Sequence, residues 1–427
     1  MFTKTLTDIR DRFRKIEPPR FTAVFIGCFL IVAYKNGLDG IFYPLLYNED
    51  GRDIFAKFYN QNEFKNIFIF YASYIRVAPN LAGYLLNFLP VRIIPPLYCL
   101  VSLFTTALAY SIFYEVFRRV IRNRWFACYA AFMISALPLG NFEIVETLMY
   151  QVWNCNLILC LMALLPVPVK PIRRAGFVLA AHLLIWTHPY SIIVLPLFIW
   201  NLVSRKENRW AQTSFAISTV CYFLTAVRAY PPDLTGLKYF IPTFMNRVMI
   251  ESFVGPNNRV HLQYLGGIGV LDLVIIFTMG AIFIFSWKNF KQEQKQFLLA
   301  CLYLSLVPLL AALIGRDLGD YYHLLRGSPR YVYLPKIFFT ALVFLAAYEL
   351  SKKSFAFRKF HLVLGALILF INVNSNVLYK TDISVGKDTL AFTHKLKRNS
   401  VPCQPGEQIF ISFDRGQWTF PANICKY

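Results

Sequence analysis

The sequence predicts an all-α polytopic membrane protein, and three observations carry that prediction. The chain of 427 residues is 57% hydrophobic and 16% charged, whereas a soluble protein carries roughly 25% charged residues. Its apolar residues gather in continuous runs of about 15 to 22, near the length a helix needs to cross the hydrocarbon core. Placing those runs across a membrane leaves every short loop of one side basic, the pattern expected of the cytoplasmic face. A strand barrel is excluded because its segments would alternate apolar and polar residues.

Lys4, Arg10, Arg12, Arg14, Lys15 and Arg20 precede the first span, 21–34, which places the N-terminus inside. No small-residue cleavage site follows, so the run reads as a signal anchor. The first outer loop then covers about 35–92. Within it Ile54, Phe55, Phe58 and Tyr59, and again Ile67, Phe68, Tyr71 and Ile75, recur at helical spacing and predict amphipathic helices in the outer interface. Further spans are expected at 93–117, 125–139, 156–169, 175–187, 191–203, 210–227, 265–287, 297–314, 334–350 and 361–378. That makes about eleven transmembrane helices in all. Residues 1–378 form the transmembrane module and 379–427 a small polar tail outside.

The inner loops carry groups such as Arg118, Arg119 and Arg122, or Lys288, Lys291 and Lys295. The net charge of +21 is thus largely spent on topology, and no soluble basic domain exists to bind nucleic acid. Seven of the nine cysteines lie in or near spans, where they serve as small apolar residues. Cys403 and Cys425 are the only pair in the outer tail. A disulfide between them would add roughly 3 kcal/mol by the entropy model on an oxidising face.

Charges at the outer ends of spans have no such topological explanation, since carboxylates contribute little to orientation. Glu49, Asp50, Arg52 and Asp53 form one cluster, Glu143 and Glu146 a second, and Arg316, Asp317, Asp320, His323, Arg326 and Arg330 a third. The first reads either as a solvated loop or as a carboxylate site with raised pKa values and a general base; Lys57 stands one turn beyond Asp53 and could pair with it. The third has two arginines four apart with Tyr331 beside them, suited to phosphate oxygens or to interfacial anchoring. The acidic cluster could also hold Mg²⁺ or Mn²⁺ through Asp50, so the sequence leaves metal dependence open. Pro189 predicts a sharp outer turn at His188. No Walker loop, Rossmann fingerprint, Cys/His metal pattern or nucleophile elbow occurs, so any energy must arrive with an activated substrate.

Asn48-Glu49-Asp50-Gly51 shortly after the first span, and Gly327-Ser328-Pro329-Arg330-Tyr331 running on to Leu334-Pro335 before a late one, resemble motifs of the GT-C superfamily of integral membrane glycosyltransferases. The stretch 71–90, with Arg76, Pro79, Gly83 and Tyr84, looks like the first-loop helices of bacterial GT-C-like proteins. His188-Pro189-Tyr190 and the tail at Cys403-Gln404-Pro405-Gly406 look like theirs too. The resemblance covers the layout of nearly the whole chain. It implies inverting transfer of a sugar from a polyprenyl-phosphate donor to a hydroxyl of a cell-envelope glycan or glycolipid, at the outer face of a bacterial plasma (inner) membrane. By that resemblance Asp50 is the base, with Glu49 as substitute, and Arg330 with Arg326 grips the donor phosphate. Asp53, Arg76, Glu146, His188, His323 and Tyr331 are candidate substrate contacts. The chain departs from protein-glycosylating members in having no large soluble outer domain. Two other readings are an O-antigen polymerase or ligase-like enzyme and a lipid-glycan flippase or transporter. The first relies on a larger late outer loop, and the second calls for charges at mid-span.

Overall fold

Proline and asparagine set where several helices begin, and apolar patterning sets how long they run. The computed structural model describes residues 20–36, 39–42, 50–60, 62–71, 73–90, 93–140, 142–204, 208–227, 234–253, 287–315, 330–353, 365, 408–413 and 418–423. The helices are α1 (Phe21–Asn36), α2 (Asp39–Phe42), α3 (Ala56–Asn60), α4 (Val77–Leu86), α5 (Ile94–Ile121), α6 (Arg124–Ala136), α7 (Phe142–Glu146), α8 (Gln151–Leu164), α9 (Pro171–Ile185), α10 (Ser191–Ser204), α11 (Arg209–Ala226), α12 (Phe240–Thr243), α13 (Gln292–Gly315) and α14 (Arg330–Lys353). Pro95 opens α5 and Pro171 opens α9, positions where the missing N–H costs nothing and the fixed φ suits the helix. α5 stops at Arg122, which takes the left-handed conformation (φ 54°), and Asn123 then caps α6 by accepting the Phe126 N–H at 3.1 Å. The two helices thereby reverse within two residues.

Helices stand at nine of the predicted spans: α1, α5, α6, α8, α9, α10, α11, α13 and α14. Among the described residues α5, α13 and α14 are long and apolar enough to cross a membrane. The other six have 13 to 18 residues, about 20–27 Å of helix against a hydrocarbon core of about 30 Å. The predicted spans 265–287 and 361–378 lie almost wholly outside the described residues.

α5 is the hub, packing on α1, α6, α7 and α8. α8 is enclosed along its length, with every residue from Gln151 to Ala163 buried, and its polar residues Gln151, Asn154 and Asn156 are hydrogen-bonded within the bundle. α13 and α14 pair along their lengths, and α10 pairs with α11.

The first outer loop corrects the sequence reading in two ways. A π-helical turn, Asp50–Phe55, runs into α3, so helix forms where the first spacing predicts it. Ile54, Phe55 and Phe58 are fully buried, however, and Tyr59 nearly so; this face packs into the protein core instead of lying in an interface. The second spacing is misread. Ile67 falls in a 3-10 turn (Phe64–Phe68), while Tyr71 and Ile75 belong to a hairpin of β1 (Phe70–Tyr71) and β2 (Tyr74–Ile75), paired Phe70↔Ile75 and Tyr71↔Tyr74. Aromatic and β-branched neighbours favour the strand there. A second hairpin, β3 (Gln408–Phe413) with β4 (Trp418–Asn423), lies in the tail, and β4 rests against the π-helical turn and α3.

Candidate functional site

The three consecutive residues that lead into α8 hold the site together. Asp50, the first residue of the π-helical turn, is fully buried. Its Oδ2 accepts the Leu148 N–H at 2.9 Å and its Oδ1 accepts the Met149 N–H at 2.6 Å. Successive backbone N–H groups in a turn make an anion-binding concavity, and here the anion is a carboxylate from 98 residues upstream. The pair stabilises the negative charge of Asp50, an influence opposite to the carboxylate crowding expected from the sequence.

Two arginines meet the same turn. Arg76 is buried, and its Nη1 donates to the Met149 sulfur. Arg330 opens α14, with its guanidinium carbon 4.6 Å from the Tyr150 ring centroid and 5.3 Å from that of Tyr331, within range of a cation–π contact. Asp50, Arg76 and Arg330 therefore converge on Leu148, Met149 and Tyr150 from three separate parts of the chain. Sequence reasoning places Arg330 and Tyr331 in an outer loop; the structure puts both in the first turn of α14.

A buried polar network shapes the turn. Gln151 Nε2 donates to the carbonyls of Ile144 (2.7 Å) and Thr147 (3.1 Å). Asn154 Nδ2 reaches the Ile144 carbonyl, Gln151 Oε1 and Thr106 Oγ1. The Tyr333 hydroxyl donates to Asn154 Oδ1 at 2.6 Å and lies 3.2 Å from that of Tyr110. These bonds join α5, α8 and α14 directly behind the Asp50 cradle.

His188 forms the neighbouring wall. Its Nδ1 accepts from Asn156 Nδ2 (2.8 Å) and from the Tyr190 N–H (3.2 Å), which assigns the proton of the neutral ring to Nε2. The predicted turn at Pro189 is present between α9 and α10. Tyr74, Trp153 and Tyr190 pack around the imidazole with centroids 4.8–5.1 Å away, and Tyr331 stands 5.4 Å from Trp153. Glu146 is buried, and it and Asp50 both act electrostatically on the Cys99 thiol. Asp53 is half-buried at the edge. The Lys57 pKa falls to about 8, first through burial and then through Arg76, with the Asp53 carboxylate opposing.

A second charged cluster lies deeper in the bundle. Glu251 binds Lys336 Nζ at 2.6 Å and Arg247 Nε at 3.2 Å, all three being almost fully buried. Lys336 is six residues along α14 from Arg330, so the cluster ties the helix that carries Arg330 to the segment 244–251.

Of the residues singled out in the sequence, Asp50, Arg76, Glu146, His188, Arg330 and Tyr331 thus belong to this region, with Asp53 at its margin. Glu49, His323, Arg326, Cys403 and Cys425 lie outside the described residues. Sequence reasoning misses the Leu148 and Met149 amides, which have no side-chain signal, together with Tyr150 and Trp153. The polar break at Gln151 and Asn154 is the visible trace of the turn. Among the described residues no three His, Cys, Asp or Glu side chains come together to hold a metal ion. A cavity of about 950 Å³ lies between the C-terminal end of α5 and the start of α13, away from the residues gathered around Asp50. No family model, curated protein or solved structure is detectably similar to this chain.

Proposed function

We propose that the chain is a glycosyltransferase of the inner membrane, with about eleven spans, that takes a sugar from a polyprenyl-phosphate donor. The observation that carries this reading is the convergence of Asp50 with Arg76 and Arg330 on the Leu148–Tyr150 turn. A carboxylate and two arginines gathered on one turn suit a displacement at the anomeric carbon. The acceptor hydroxyl gives its proton to Asp50, its oxygen bonds to that carbon, and the carbon–phosphate oxygen bond breaks. The electron pair leaves on phosphate, whose charge the arginines stabilise. The N-terminus would lie in the cytoplasm and the Asp50 end outside, where a lipid-linked donor and an envelope glycan or glycolipid meet.

Asp50→Asn keeps one oxygen acceptor and turns its NH2 toward the second amide N–H, so thermal unfolding in detergent checks its fold, and glycan mass spectrometry of envelopes from cells carrying the folded variant should lose the product seen with the native chain. Full product from Asp50→Asn removes the base from the mechanism. Arg330→Ala should raise the donor concentration needed for half-maximal transfer, and an unchanged donor dependence counts against the phosphate role. Movement of a lipid-linked glycan with no new glycosidic bond would identify a transporter instead.

A further inference from the structure

The cavity at the other end of the bundle has the chemistry of a lipid site. α5 runs from Tyr98 and Cys99, beside Asp50, to Val116, Val120 and Arg122 in the cavity wall, and its 28 residues cover about 42 Å. The interior is apolar, lined by Val116, Val120, Leu164, Leu197 and Phe297. At about 950 Å³ it stands near the top of the range of roughly 300–1,000 Å³ for ligand pockets. The walls are latched together where Asn201 Nδ2 donates to the Ala163 carbonyl at 2.6 Å.

The rim is basic and aromatic. Arg119, Arg122 and Lys295 line it; Arg119 pairs with Glu115 just outside the lining and Arg122 with Glu293, each at 3.0 Å, which leaves the rim with an excess of positive charge carried by Lys295. The Lys295 ammonium lies 5.3 Å over the Trp287 ring, and Trp200 completes the edge. The first turn of α13 also contributes Gln292 and Gln296, and the N-terminal end of a helix favours negative charge. We propose that this cavity binds an anionic phospholipid, with its acyl chains among the helices and its phosphate at the Arg119–Lys295 rim. A zwitterionic lipid supplies the same chains but brings a second positive group to a rim already carrying an excess of positive charge.

The test uses the full chain in nanodiscs of phosphatidylcholine titrated with brominated phosphatidylglycerol or brominated phosphatidylcholine, reading tryptophan quenching. Phosphatidylglycerol should quench at several-fold lower mole fraction, and Trp200→Phe/Trp287→Phe should abolish the difference. Arg122→Gln/Lys295→Gln should abolish the preference, since each charge is worth about fivefold, whereas Glu293→Gln should increase it. Equal quenching by the two lipids, or a preference that survives Arg122→Gln/Lys295→Gln, overturns the proposal. Displacement of the brominated lipid by excess inorganic phosphate would show a phosphate site with no acyl requirement and overturns it too.

Discussion

The Tyr333 hydroxyl donates to Asn154 Oδ1 at 2.6 Å, both residues being fully buried. This bond connects the helix that begins with Arg330 to the helix that begins behind the Asp50 cradle, and the same Asn154 amide holds the Ile144 carbonyl. Tyr333→Phe should therefore destabilise the protein by about 1–3 kcal/mol, the cost of a buried acceptor left without its donor. Thermal unfolding in detergent should show the drop, and donor affinity should weaken with it. An unchanged melting temperature would mean that the bond does not hold α14 in register.

Gly83 faces the segment that carries Asp50. A Cβ at this position would fall on Ile54 Cγ2 and come within 3.1 Å of Phe58 Cδ2. Gly83→Ala should cost about 1–3 kcal/mol as an overpacked core site and reduce transfer by displacing the π-helical turn. Ile54→Ala in the Gly83→Ala background should recover activity, since it removes the methyl that clashes. Failure of that rescue, with the fold intact, would place the defect elsewhere.

The Lys336–Glu251–Arg247 cluster should behave as a buried ion group. Lys336→Met leaves Glu251 with one cation in place of two, and loss of a partner from a buried pair costs about 3–5 kcal/mol. Glu251→Gln/Lys336→Met should be less destabilised than the sum of its single changes. Additive losses in a double-mutant cycle would show that the two residues do not interact in solution.

Lys57 gives a pH signature at the Asp50 end. Its pKa in the folded protein, about 8, lies below the ordinary 10.5, so the unfolded chain binds the proton more tightly. Between about pH 8 and 10.5 the unfolded state holds more protons and stability rises with pH; the penalty for burying the ammonium is fully present below the folded value. Amine labelling of Lys57 followed by mass spectrometry should show half-maximal reactivity near pH 8. Arg76→Gln should move that midpoint up, and Asp53→Asn should move it down. A midpoint near the ordinary lysine value in the native chain would contradict the burial of the Lys57 ammonium, the main cause of the shift, and with it the placement of Arg76 nearby.

The helical skeleton is legible in the sequence wherever apolar runs meet local signals. Pro95, Pro171 and Pro189 mark real boundaries, and the basic turn after α5 ends where its arginines gather. The acidic stretch at Asp50 and the arginine opening α14 also stand out, because charges are scarce in this chain. What brings them together does not. The Leu148 and Met149 amides belong to apolar residues about a hundred positions from Asp50, and backbone donors leave no mark in composition. Lys336 hides inside an apparently apolar span because its partner, Glu251, lies 85 residues away. Ile67, Tyr71 and Ile75 fit a helical spacing by coincidence, since Ile67 sits in a 3-10 turn while Tyr71 and Ile75 lie on the two strands of a short hairpin.

The tail hairpin bears on how the molecule is born. β4 rests on the π-helical turn that begins with Asp50, yet it is synthesised more than 360 residues later. A contact of such sequence separation forms late, after the helices between have entered the membrane. The nascent chain can therefore close Asp50 onto the Leu148 and Met149 amides long before β4 exists, and the last strand completes that end. Chains released before residue 408 should acquire the bundle and be cut more readily at 50–60 than chains extended through residue 423.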